Sequence, residues 1–163
     1  MFYVDLYGFE VKVLFLMNDE VLAYSWHYDE ARALRHLHRI VEFHKIDGEI
    51  VKSKSLEKWL RSKIDEVVLE GARFKLPNVE YKNRVVYENI IKIPRGKTAT
   101  YSQIARESGV KYKDLLQTLM RNPFQVLVPC HRLVTNKGTL FGFYPLGKGV
   151  KRRLLEIEGA ILQ

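Results

Sequence analysis

Within the apolar run Val126–Val134, VLVPCHRLV, three side chains with chemistry of their own stand together: Cys130, His131 and Arg132. An imidazole beside a thiol is the pairing that makes cysteine a nucleophile, because the base can take the thiol proton. Cys130 is the single cysteine of 163 residues, so neither an internal disulfide nor a multi-cysteine zinc site is open to it. A cysteine in an apolar run is ordinarily an inert small hydrophobe whose pKa burial raises. His131 next in sequence argues for the reactive reading. An activated nucleophile also needs a group that holds the imidazole in one tautomer. Glu158, in the segment KRRLLEIEGAIL, is the candidate carboxylate.

The elements that must bring these groups together follow from the rest of the chain. Hydrophobic residues make up 47% and aromatics 12%, which predicts a packed fold rather than disorder. No run reaches transmembrane length, and the start MFYVDLYGFEVKV lacks the layout of a signal peptide, so a cytoplasmic protein away from membranes is expected. Positive charge is unevenly placed. Residues 1–76 carry 12 Lys and Arg against 13 Asp and Glu, whereas residues 77–163 carry 15 against 6. The half that holds the thiol is therefore the basic one, which implies a polyanionic partner.

Residues 2–28 read as two or three strands with a turn at Asn18-Asp19-Glu20. A helix follows, with Asp29 as cap and Leu34, Leu37, Ile40, Val41 and His44 on one stripe. A second helix over SLEKWLRSKIDEVVLEG has Ser55 as its capping candidate. His36, His38 and His44 do not have the i, i+4 spacing of helical metal ligands and read as surface or amphipathic positions; no metal is expected. Past the linker ARFKLPNVEY comes the helix NRVVYENIIKI, stopped by Pro94. TYSQIARESGVKYKDLLQTLMRNP then has the grammar of a helix-turn-helix. Thr100 or Ser102 caps a short helix containing small Ala105, Gly109 turns the chain, and a second helix runs from about Lys111 to Arg121. QVLVP reads as a short buried strand, and KRRLLEIEGAIL as the last helix.

PCHR after an apolar run, Asn122-Pro123 eight residues before the cysteine, Glu158-Gly159 beyond, and IPRGKTATYSQIA upstream together resemble the O6-alkylguanine-DNA alkyltransferases. The resemblance covers roughly residues 79–159. It implies an α/β fold of the α+β kind. Residues 1–76 would form a small ribonuclease-H-like N-terminal domain of sheet and helices, and residues 77–163 a helical, DNA-binding alkyltransferase domain. It implies a DNA repair methyltransferase that binds double-stranded DNA in the minor groove, flips out an O6-alkylguanine and transfers the alkyl group irreversibly to Cys130, once per molecule. By the same resemblance His131 takes the thiol proton through a water and Glu158 orients it. Tyr101 presses on the target phosphate and bonds the base, and Asn122 braces the turn. Ser102, Lys113 and Arg121 join Tyr101 in contacting DNA, and Leu133, Phe143 and Tyr144 line the pocket. No cofactor is needed, and a monomer is expected, located in the cytoplasm or, in a eukaryote, the nucleus.

The chain departs from the family in places. Where the family has an arginine at the start of the recognition helix, the count gives Lys113 without a gap or Asp114 with a shift of one; Lys113 is the better fit to a phosphate backbone. Leu115, Leu116 and Gln117 stand where small residues are usual, Phe141 interrupts a glycine-rich stretch, and Pro145 is an insertion. The competing reading is a non-enzymatic module that binds alkylated bases without removing the group. A thiol hydrolase has no use for a basic helix-turn-helix.

Overall fold

Short runs rich in β-branched and aromatic residues build an antiparallel sheet in the computed structural model of this chain, which describes residues 2–160. Strand β1 (Val4–Leu6) turns into β2 (Phe9–Met17) through Tyr7 and Gly8, both at positive φ (51° and 103°), the conformation that suits a two-residue hairpin. β3 (Val21–His27) pairs with β2 in the register Val13↔Trp26 and Phe15↔Tyr24. β4 (Glu49–Val51) pairs antiparallel with Phe15–Met17, on the opposite side of β2 from β3. This strand was not expected; its three residues become a strand only through that pairing.

Helix α1 (Glu30–His44) is capped as expected by Asp29, which accepts from the Arg32 backbone N–H at 2.8 Å. The stripe it lays on the sheet is Ala33, His36, Leu37, Ile40 and His44. Leu34 is exposed and His36 is buried, contrary to expectation, because the packing face is centred one position away from Leu34; His44 is buried, in keeping with its place on the expected stripe. Helix α2 (Lys54–Val68) is capped by Ser53, not Ser55; the Ser53 hydroxyl accepts from the Leu56 N–H at 3.2 Å.

Helix α3 (Arg84–Ile91) precedes the helix-turn-helix, formed by α4 (Tyr101–Ser108) and α5 (Tyr112–Met120). Thr100, the cap of α4, accepts from Gln103 N–H at 3.0 Å, and Gly109 takes the left-handed conformation (φ 68°) that ends the helix. Two-residue strands β5 (Ala99–Thr100) and β6 (Leu133–Val134) pair in parallel and tie the entrance of α4 to the segment after the thiol. The expected strand over Gln125–Pro129 is absent. Val126 sits at φ 80°, which breaks extended geometry and leaves a single Gln125–Val128 bridge. Helix α6 spans Lys148–Ile157, beginning earlier than expected; residues 161 and 162 of the expected helix lie outside the described residues.

One buried core runs from Val4 to Leu154. At its centre the Phe124 ring lies 5.8 Å from Tyr24, 4.9 Å from Phe74 and 6.2 Å from Tyr81, centroid to centroid. Among the described residues no helix is long and apolar enough to cross a membrane.

Candidate active site

The chain leaves α5 at Arg121 and makes a compact turn before the thiol. Asn122 organises that turn. Its side-chain oxygen accepts from the Phe124 N–H at 2.9 Å, and its amide donates to the Val128 carbonyl at 3.2 Å and approaches Cys130 Sγ at 3.5 Å. Val126 at positive φ is a β-branched residue in a conformation that costs on the order of 1–3 kcal/mol. The surrounding hydrogen bonds, Val128 N–H to Phe124 O at 2.7 Å and Tyr24 Oη to the Gln125 carbonyl, hold it there.

Cys130, His131 and Arg132 form a single 3₁₀ turn, all buried. His131 Nε2 lies 3.2 Å from Glu158 Oε2, within ion-pair reach but off the line of a hydrogen bond, and His131 Nδ1 has no protein partner among the described residues. Glu158 itself, the residue that caps the C-terminus of α6, is clamped by Arg132. Arg132 Nε donates to Oε1 at 3.0 Å and Nη2 to Oε2 at 2.6 Å, while Nη1 donates to the Ile93 carbonyl at 2.7 Å. Burial alone would raise the Glu158 pKa, but His131 and Arg132 outweigh it and hold the carboxyl below its usual range. Burial pushes His131 below the usual imidazole range, with Glu158 opposing. Burial pushes the Cys130 thiol up, with Asn122 opposing. The resting state is thus a neutral thiol beside a neutral imidazole backed by a fixed carboxylate. Arg132 was legible as part of PCHR, but its role as the clamp was not read from sequence.

The thiol opens onto a cavity of about 320 Å³. The cavity is lined by Leu116, Leu119 and Met120 of α5, by the wall segment Phe141–Tyr144, and by Tyr101 and Gln125. Phe143 and Tyr144 are therefore where the sequence placed them, whereas Leu133 is not on the wall: as part of β6 it pairs with Ala99 and is fully buried. Tyr101, the first residue of α4, lines the cavity with the Phe141 ring 5.8 Å away. A residue the sequence reading missed, Lys151 of α6, is buried and donates to Tyr101 Oη at 2.6 Å. Burial lowers its pKa to about 8. Because Oη accepts from Lys151, the Tyr101 proton is free to point elsewhere. A lone lysine two turns before Glu158 carried no sequence signal for this.

Ser102 is half-buried on the first turn of α4, Lys113 and Asp114 are both exposed on the first turn of α5, and Arg121 is half-buried just past its end. The site therefore brings together Cys130, His131, Glu158, Asn122 and Tyr101, and sets the basic residues along the two helices beside it.

Residues 82–160 match the family model described as "6-O-methylguanine DNA methyltransferase, DNA binding domain". The chain is similar to a methylated-DNA–protein-cysteine methyltransferase of Methanothermobacter thermautotrophicus, 42% identical over 84 residues, covering 52% of this chain and 47% of that protein. It is similar to one from Saccharolobus islandicus at 40% identity over 74 residues, 45% of this chain and 48% of that protein. It spans about half the length of the curated relatives it matches. The crystal structure of an O6-methylguanine-DNA methyltransferase from Pyrococcus kodakaraensis shares the fold over 93% of each chain, with a TM-score of 0.69 at 23% identity. A structure of Mycobacterium tuberculosis OGT in complex with DNA covers 65% of each chain, with a TM-score of 0.50 at 26% identity.

Proposed function

We propose, from the match of residues 82–160 to the family model of the 6-O-methylguanine DNA methyltransferase DNA-binding domain, that the protein moves an alkyl group from guanine O6 in DNA to its own Cys130. The observation that carries this reading is the placement of the sole thiol on the floor of an apolar cavity, between the recognition helix and a buried His131–Glu158–Arg132 cluster. In this reading residues 1–76 are the variable N-terminal domain and residues 77–163 the alkyltransferase domain. It acts as a monomer in the cell interior, where DNA is, and requires no cofactor.

The helix-turn-helix of α4 and α5 binds duplex DNA, with Ser102, Lys113 and Arg121 on phosphates. A flipped guanine enters the cavity beside Tyr101, whose hydroxyl, accepting from Lys151, donates its own proton toward the base. His131 Nδ1 takes the Cys130 proton through a water, and Glu158, fixed by Arg132, stabilises the imidazolium that forms. The thiolate attacks the alkyl carbon; the S–C bond forms as the C–O6 bond breaks. The displaced guanine anion takes up one proton on its ring, so the thiol proton and the leaving group balance. A thioether is not reversed by thiol exchange, which makes each molecule act once.

Intact mass after incubation with a duplex containing one O6-methylguanine tests this. A gain of one methyl on Cys130, saturating at one per molecule and lost in Cys130→Ala, is the expected result. Unchanged mass with retained preference for the damaged duplex would make the protein a recognition module instead.

A further inference from the structure

Among the described residues Gln125 is the one carboxamide on the cavity wall, and both of its ends are committed. Its Oε1 accepts from the Trp26 indole N–H at 2.6 Å, and its Nε2 donates to the Tyr144 carbonyl at 2.6 Å. These two bonds use one acceptor site and one N–H of the amide, and the side chain turns only by losing both. It is a strut. One end rests on β3 of the N-terminal half and the other on the Phe141–Tyr144 wall of the cavity. Its backbone belongs to the Asn122–Pro129 turn, where the Asn122 amide touches the thiol.

The wall it holds has little structure of its own. Between β6 and α6 the chain forms only turns and bends, so its shape is set by what it hangs on. Two further ties come from the N-terminal half: Tyr28 Oη donates to the Leu146 carbonyl at 2.6 Å, and the His36 ring packs edge-on against Tyr144 with centroids 5.1 Å apart. None of Trp26, Tyr28 and His36 lines the cavity. Building on the alkyl-transfer reading, we infer that Gln125, held by Trp26, is a specificity-determining residue that fixes how far the Tyr144 wall stands from Cys130 and thereby limits the bulk of the alkyl group transferred. The N-terminal half, which contributes nothing to the chemistry, sets the width of the pocket.

The test is a pair of single-turnover transfer rates, from duplexes carrying one O6-methylguanine or one O6-benzylguanine. Methyl transfer is the reference and the benzyl-to-methyl ratio is the readout, since a general loss of stability would slow both. Trp26→Phe removes the indole donor and should leave methyl transfer as it is while raising the ratio about tenfold, the low end of what an apolar pocket discriminates per added carbon. Gln125→Leu should raise the ratio as well, and the double variant no further than Gln125→Leu alone, because the two side chains act as one relay. Tyr28→Phe, at an exposed position outside the core, should move the ratio the same way by less, and it carries the test together with Gln125→Leu if Trp26→Phe does not fold. An unchanged ratio in all variants that still transfer methyl overturns this inference alone. A parent protein that takes neither group overturns the transfer reading and this inference with it.

Discussion

The two halves of the chain differ in how they serve the site. Every residue on the cavity wall lies at or after Tyr101, so the chemistry is supplied by the second half. The first half supplies anchorage. His44 donates from Nε2 to the Arg121 carbonyl at 2.7 Å, where the recognition helix ends, and accepts at Nδ1 from the Lys82 N–H at 3.0 Å. Tyr24 N–H donates to the Pro123 carbonyl at 2.9 Å, and Tyr28 and Trp26 secure the cavity wall. A reactive centre needs particular atoms, whereas anchorage needs only donors and surfaces in the right places. The first constraint writes motifs and the second does not.

That contrast is sharpened first by the charge cluster behind the thiol. Arg132→Met leaves the Glu158 carboxylate buried without its clamp and should cost about 3–5 kcal/mol in urea unfolding. A loss near zero would mean that His131 alone is enough to hold the carboxylate. Lys151 should behave in the opposite way. Its folded pKa of about 8 lies below the ordinary 10.5, so between those values the unfolded chain binds more protons and stability rises with pH. At neutral pH the buried ammonium is therefore a cost of about 3 kcal/mol. Lys151→Met should raise the Tm at neutral pH while slowing alkyl transfer, and a lower Tm would break the distinction between chemistry and anchorage.

The anchoring half should show itself in acid. His36 and His44 have folded pKa values lowered to about 4 by burial, against 6.5 ordinarily, so both are neutral in the fold. The stability they allow is present above about pH 6.5 and is lost as pH falls toward 4, up to about 3 kcal/mol for each. Unfolding midpoints across that window should fall steeply, and less so for His44→Gln. Smallest of all, Ser53→Ala should cost about 1 kcal/mol and Ser55→Ala less than about 0.5 kcal/mol, since the cap belongs to Ser53 alone.

Much of the site was legible because its residues are fixed by chemistry: a lone cysteine with an adjacent base, and a helix-turn-helix with Gly109 at its corner, while the turn asparagine came from the family resemblance. Lys151 and Gln125 were not, because a lysine on a surface-like helix and a glutamine in an apolar run gain their meaning only from Tyr101, Trp26 and Tyr144, which are distant in sequence. The fold was legible as alternating strands and capped helices. It failed at Gln125–Pro129, where β-branched residues argue for a strand but the positive φ of Val126, imposed by the turn around Asn122, forbids one. On α1, Leu37, Ile40 and His44 were read onto the buried stripe as found, but Leu34 was added to it and Ala33 and His36 left off, because only packing on β2 and β3 fixes where the stripe is centred.

Phe124, ringed by Tyr24, Phe74 and Tyr81, also decides how the gene can be divided. A fragment beginning at residue 77 retains the thiol, its helix-turn-helix and most of its basic charge, but presents that ring and the Pro123 carbonyl to water. Such a fragment should be recovered as aggregate when produced alone and as working protein when the segment before it is produced alongside. The join between the two pieces would then serve as a reporter of whatever brings them together.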